Sequence, residues 1–521
     1  MKSLVLTLIK SKKLNKKVLH TQKRLWAKKH GFLPKNSEIL KSYRSLLGTK
    51  KIKKNSILEN LLWIHKVRTQ SGVAPVAVLT KPYPCPGKCI YCPTQAGIPK
   101  SYLRHEPAVD RARKLNFNPY NQVKVRLKQL YDTGHSVDKI HLIVIGGTFS
   151  FLPKTYKIWF IRECFRACND FGRTRSSPGL ELSQHQKINE KAKVRITGIT
   201  LETRPDWINI DEIKLMRKLG CTRVEIGVQS VDNHVLRRIL RGHSTKEIVR
   251  ATQLLKDAGF KVCYHLMPNL PGSNPKKDLE MFKKVFSDPR FQPDMIKIYP
   301  CAVTKEAKLY SWYQKGNFKP YKDKQLIKLI LKIKKIVPEY VRINRLFRDI
   351  PGFYIVAGCK LTNIRQILSK MNTGCKCIRC REIKQEKFDP KNLKLKINKY
   401  KASGGEEYFL QFVDQKNRLY ALLRLRIPSQ VFNKKKHFIP VLNNSSIIRD
   451  LHTFGFALPI SKKETDKTQH RGLGKKLLEE AEKITAQAGL NKIAIISGVG
   501  VREYYRNQGY LLKNSYLLKS L

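Results

Sequence analysis

A chain of 521 residues, 41% hydrophobic and 27% charged, is long enough to bury two or three cores and too apolar to be disordered. Lys and Arg total 104 against 39 Asp and Glu, a net charge of +65 that repels itself and calls for a polyanion: nucleic acid first, an anionic membrane surface second. Twelve cysteines in this length are no disulfide scaffold, and their clustering points to reduced, metal-binding thiols in the cytoplasm. The apolar run Leu4 to Ile9 is too short for a signal sequence, and no stretch reaches membrane-spanning length.

Residues 1–72 are dominated by Lys and Arg, with Glu38 and Glu59 the acids of the first seventy. Apolar residues recur at helical spacing, as in Ile57, Leu58, Leu61, Leu62, which predicts short amphipathic helices. Lys50, Lys51, Lys53 and Lys54 beside Tyr43 and Arg44 suit a surface that tracks phosphates, so the segment is expected to bind RNA or DNA.

The apolar run Val73 to Leu79 leads into Pro84-Cys85-Pro86-Gly87-Lys88-Cys89-Ile90-Tyr91-Cys92-Pro93. The prolines and glycine argue against a helix there and for a loop that wraps a cofactor. Three thiolates on an iron–sulfur cubane leave one iron open to another ligand. A zinc knuckle usually pairs Cys-x2-Cys with a second such pair, and none lies near. The motif Cys85, Cys89, Cys92 resembles that of the radical S-adenosylmethionine (SAM) enzymes, which implies a [4Fe–4S] cluster whose open iron chelates SAM.

Strands and helices alternate from residue 73 to about 350, the signature of βα units with parallel strands. Strands are predicted at Ile140 to Ile145, Val194 to Leu201, Val224 to Ser230, Val262 to Met267 and Met295 to Tyr299. Polar residues and glycines gather after the strands, as in a barrel whose site lies at the strand C-termini. Gly146-Gly147-Thr148, Glu202-Thr203-Arg204-Pro205-Asp206, Glu225 to Ser230 and His265-Leu266-Met267-Pro268, in this order after the cysteine loop, resemble the Elp3 family, the catalytic subunits of Elongator. The resemblance implies SAM contacts from Gly146, Gly147, Thr148, Glu202, Gln229 and Ser230. Glycines let carbonyls approach the methionine amine, and Glu202 is placed to accept hydrogen bonds from ribose hydroxyls.

Residues 351–400 form a Cys-rich connector. Cys375, Cys377 and Cys380 favour tetrahedral zinc with a fourth ligand from elsewhere, Cys301 and Cys359 being open candidates; the Elp3 resemblance implies a zinc-binding linker here too. Cys164, Cys168, Cys221 and Cys263 read as buried core thiols.

Residues 401–521 read as an α+β module. Tyr408 to Val413 and Leu419 to Arg426 form a hairpin, Ile447 to Leu458 a strand, Lys475 to Gln487 a helix and Ile493 to Ile496 a last strand. Gln469-His470-Arg471-Gly472-Leu473-Gly474 opens that helix, so backbone amides can receive a pyrophosphate. The loop matches the acetyl-CoA signature of GNAT acetyltransferases, and Tyr504 and Tyr505 match the tyrosine that faces the CoA thiolate in many of them.

The expected architecture is therefore α/β: a radical SAM partial (β/α) barrel, a zinc-binding linker and an α+β GNAT domain. The resemblance implies an enzyme that uses SAM, acetyl-CoA and an electron donor to carboxymethylate wobble uridine in tRNA. It also admits a homodimer or Elongator-type partner subunits. A protein lysine acetyltransferase and a non-catalytic tRNA-binding scaffold are the alternatives, the first needing a carboxylate base such as Asp450.

Overall fold

The computed structural model describes residues 1–11, 13–64, 69, 72–172, 179–361, 363–371, 373–383, 392–455 and 472–521. The basic N-terminus folds as four helices, α1 (Lys2–Lys10), α2 (Lys16–His30), α3 (Asn36–Gly48) and α4 (Ser56–Leu62). Asn15 caps α2 and Asn55 caps α4 through their side-chain oxygens. Leu4, Leu8, Leu19, Ile39, Tyr43 and Leu58 close a small core separate from the main one. This unit leans on the helix Pro119–Asp132 through Arg44, whose guanidinium stacks on Tyr131 and donates to its carbonyl.

Strands β1 (Ala74–Leu79), β2 (Lys139–Ile145), β3 (Arg195–Thr203), β4 (Arg223–Gln229), β5 (Lys261–Leu266) and β6 (Met295–Ile298) follow the predicted series. The short β7 (Val303–Thr304) and β9 (Ile355–Ala357) pair with each other, and β8 (Arg342–Arg345) joins the main sheet beside β6. The order β1-β2-β3-β4-β5-β6-β8 is parallel throughout and linear, an incomplete barrel with helical crossovers. Residue alternation sorts its two faces. On β2, Ile140, Leu142 and Val144 are buried under helices, while Lys139, His141, Ile143 and Ile145 line an internal cavity. Strand β8 was not foreseen, because Arg-Ile-Asn-Arg offers one apolar residue in four.

The second sheet runs β10 (Lys394–Ala402), β11 (Gly405–Val413), β12 (Leu419–Ile427), β13 (Ser445–Thr453), β14 (Lys492–Ile495), β16 (Tyr516–Ser520), β15 (Leu511–Lys513). All pairs are antiparallel except β13 with β14, which align only from Ser445 to Ile448. Pairing ends at Ile448 and Ile495, and the residues that follow on both segments line the cavity together with the start of the helix Leu473–Gln487. The predicted strand to Leu458 ends instead at Thr453, where pairing with β12 stops; residues 456–458 lie outside the described ones.

A buried ionic cluster fastens the two sheets together. Arg449 reaches Asp294 at 2.5 Å and Glu407 at 2.8 Å; Arg426 reaches Asp257 at 2.6 Å and Glu407 at 3.0 Å. Lys256 lies 3.5 Å from Glu407, and every member is essentially without solvent exposure. Charges this deep are tolerable only because each is paired and hydrogen-bonded.

Candidate functional site

The loop that carries Cys85, Cys89 and Cys92 has neither helix nor strand, and three backbone bonds to two distant segments pin it. Ile90 donates to Ile239 O, Thr94 to Glu306 O, and Leu309 donates to Ile90 O. Arg241 Nη1 lies 3.4 Å from Cys89 Sγ. Burial alone would raise the Cys89 thiol, but the charge and hydrogen bond of Arg241, with Arg204 behind, bring it below the ordinary range. Burial pushes Cys92 up to about 11. Arg204 Nη1 is buried without a partner and aims at the backbone of Gly87 inside the loop, while Lys100 donates to Gly87 O at 2.7 Å. Three thiols in one loop, ringed by cations and one unsatisfied donor, suit an anionic iron–sulfur cluster. They do not converge within 4.8 Å, as ligands of a single ion would.

Gly147, Thr148, Glu202 and Gln229 line the same cavity as the three thiols. Gly146 stands one step back: its φ of +137° places it where a Cβ would collide with Thr80 Oγ1, so only glycine fits. Gln229 has a φ of +66° and a buried, unpartnered Oε1. Ser230 faces away and accepts a bond from the Asp232 amide. Glu202 accepts from Tyr102 Oη at 2.6 Å and lies 3.8 Å from Lys297 Nζ. Glu225 and His265, quoted in the motifs above without a role, and Lys297, which the sequence did not single out, complete this floor. Glu225 pairs with Lys297 and with His265 at 2.9 Å, and they hold its carboxyl well below the usual range despite burial. Cys263 converges with Glu225 and His265, but the Lys297 ammonium already occupies the place of a cation there.

Cys375, Cys377 and Cys380 bring their sulfurs within 4.8 Å of one another, compatible with the edge of about 3.8 Å that Zn–S bonds of about 2.3 Å impose. Hydrogen bonds from Cys375 and Cys377, with Lys334 at 3.6 Å, favour the thiolate at Cys380. Neither Cys301 nor Cys359 joins this set. Cys164, Cys168, Cys221 and Cys263 are fully buried, as expected of core thiols.

At the other end, Gly472 caps the helix Leu473–Gln487 with a φ of +78° and open space around it. Gln469, His470 and Arg471 lie outside the described residues. Tyr504 brings its hydroxyl against Gly474, 2.9 Å from where a Cβ would stand, and is 42% exposed. Tyr505 is buried against Tyr504 and Tyr510. Asp450 is engaged by Lys261 at 2.8 Å and Arg424 at 3.9 Å, and these cations hold it below its ordinary value despite burial. One continuous cavity of about 1780 Å³ is lined by the cluster loop, the inner face of the barrel, and by Gly472, Leu473, Gly474, Tyr504 and Tyr505.

Comparison with known proteins agrees with this arrangement. The sequence model of the radical SAM superfamily matches residues 83–285, and that of the Radical_SAM C-terminal domain matches 293–373. The chain is 44% identical to the tRNA uridine(34) acetyltransferase of Methanocaldococcus infernus, over 94% of this chain and 92% of that one. It is 45% identical to the protein of that name from Dehalococcoides mccartyi, over 87% and 99%. With the Elongator complex protein 3 of Homo sapiens it shares 38%, over 87% and 85%. The solved structure of M. infernus Elp3 lacking residues 1–46 superposes with a TM-score of 0.73 at 41% identity, covering 87% of this chain and all of that one. At this identity and coverage, the chain belongs to the Elp3 family.

Proposed function

We propose that the chain is a tRNA-modifying enzyme that installs a carboxymethyl group at C5 of wobble uridine, using SAM and acetyl-CoA. The observation that carries this reading is the single cavity lined both by the cysteine loop and by the glycine turn at the helix Leu473–Gln487. The relatives named as tRNA uridine(34) acetyltransferases supply the substrate class. When bound, the [4Fe–4S] cluster with SAM supplies a 5′-deoxyadenosyl radical, and acetyl-CoA supplies the two-carbon unit.

In this reading Cys85, Cys89 and Cys92 hold the cluster, and Arg241 and Arg204 stabilise the Cys89 thiolate. Glu202 orients a ribose through its hydroxyls, with Tyr102 and Lys297 fixing the carboxylate. Gly147, Thr148 and Gln229 shape the SAM pocket, with Gly146 making the tight turn behind them. Cys375, Cys377 and Cys380 hold a structural zinc in a linker of residues 351–400. Residues 401–521 hold acetyl-CoA, with its pyrophosphate at the Gln469–Gly474 turn. Tyr504, the phenol nearest that turn, assists thioester hydrolysis, and Tyr505 packs behind it. The helices of residues 1–72 bind the tRNA backbone.

A lysine acetyltransferase would need a free carboxylate to take the amine proton. Asp450 is spent on Lys261 and Arg424. The test is mass spectrometry of wobble nucleosides after tRNA is incubated with reduced, cluster-loaded protein, SAM and acetyl-CoA. Carboxymethylated uridine is expected. Unmodified tRNA accompanied by acetylated protein lysines would overturn the reading.

A further inference from the structure

The most exposed aromatic side chain among the described residues is Phe353, at 73%. It sits in the turn Gly352–Tyr354, which Pro351 opens. Its ring meets His105 edge-on, with centroids 5.7 Å apart at 66°, and leans on Tyr354 at 4.6 Å. The loop around His105 is held in an unusual shape. His105 has a φ of +66°, its amide donates to Asp110 Oδ1 at 3.0 Å, and its ring Nδ1 lies 3.9 Å from Asp110 Oδ2.

The cavity is lined by Asp110, which His105 contacts, by Glu106 next to His105 in sequence, and by Arg348, Asp349 and Ile350, which lead into the Phe353 turn, so the pair stands at the edge of the cavity. Arg348 lies over the ring of Tyr102 at 5.5 Å, and Tyr102 donates to Glu202. The charge of Arg348 also reaches Cys92. Phe353 is thus two contacts from the cavity lining, through His105 and Asp110. An exposed phenyl ring against His105, whose sequence neighbour Arg104 is an exposed cation, on a chain of net charge +65, has the makeup of a surface for unpaired nucleic acid, where bases stack and cations follow the backbone.

We propose that Phe353, braced by His105, is the stacking platform for the unpaired RNA base that flanks the base entering the cavity. This rests on the tRNA reading above. Taking a base out of a loop unstacks its neighbour, and a ring at the rim replaces the lost stacking.

The probe is an anticodon stem-loop with 2-aminopurine beside the wobble position, bound by full-length protein at constant salt. Binding should quench the fluorophore. Phe353→Ala should abolish the quench and weaken binding about ten- to hundredfold, and Phe353→Trp should restore both. Because the ring is exposed, the melting temperature of Phe353→Ala should match wild type, which excludes misfolding. Equal affinity and equal quench in Phe353→Ala would overturn the platform and leave the ring as a protein contact. A quench that depends on Phe353 in a protein that makes no carboxymethyluridine would support the platform while removing the reaction. A wild-type protein that does not bind the stem-loop at low salt would remove both.

Discussion

The Cys89 thiolate depends on a neighbour far away in sequence. Arg241 donates to Cys89 at 3.4 Å and its charge lowers that thiol, so Arg241→Met should raise the Cys89 pKa and hinder cluster assembly. Iron content and the visible absorption of reconstituted protein check this; a cluster of unchanged occupancy and potential would show the arginine to be packing only. Cys89→Ala should abolish the cluster outright. At the opposite end, Gly472→Glu places a side chain at a φ of +78° and a negative charge beside the helix N-terminus. The backbone cost is about 1–2 kcal/mol, and repulsion should abolish acetyl-CoA binding measured by calorimetry while iron content stays at the wild-type level. Of these residues, the cysteines and the glycine turn were legible because ligand spacing and a helix start are local patterns. Arg241 was not, because nothing in Leu240-Arg241-Gly242 distinguishes a cluster neighbour from a surface arginine.

Among the elements, the short helix Ile378–Arg381 and the turn before it gather three sulfurs in one place. Cys377→Ala should therefore release zinc but retain iron, and Cys85→Ala the reverse, as metal analysis of the purified variants would show. Structural zinc contributes folding free energy, so the Cys377 variant should also melt earlier. The N-terminal helices close their own core, which includes Leu58 and Leu62 of α4. Removing residues 1–62 takes away that whole unit, whereas a cut inside it would expose apolar residues. The truncated protein should bind tRNA more weakly and with a shallower dependence on salt, since fewer phosphates are neutralised. An unchanged slope would move the RNA surface to the barrel.

For the molecule as a whole, the ionic cluster between the sheets sets the relation of the two ends of the cavity. Asp294→Asn leaves Arg449 and Arg424 buried against a neutral partner, at a cost of about 3–5 kcal/mol, read as a lower melting temperature. Acid should act on the same contacts. Asp294 and Glu407 are held below their ordinary values by Arg449, Lys256 and their neighbours, despite burial. Their unfolded counterparts titrate at about 3.9 and 4.3. Between folded and unfolded values the unfolded chain holds more protons, so stability is present above about pH 4 and lost as pH falls below it. A melting temperature flat from pH 6 to pH 3 would contradict this.

The sequence by itself determined the cysteine loop, five parallel strands, the hairpin of the second sheet and the glycine turn, because periodicity and ligand spacing act over a few residues. Tertiary structure alone decided what those pieces do together. Arg424, Arg426 and Arg449 look like the solvent face of alternating strands, yet all three are buried, since their carboxylates at Asp257 and Asp294 arrive from more than 100 residues away. Tyr504 and Tyr505 were equivalent in sequence, and packing separated an exposed phenol at the glycine turn from a buried one. The joining of the cysteine loop and the glycine turn into one cavity belongs to the same class: it depends on how two sheets dock, which is set by burial of long-range pairs and leaves no local pattern.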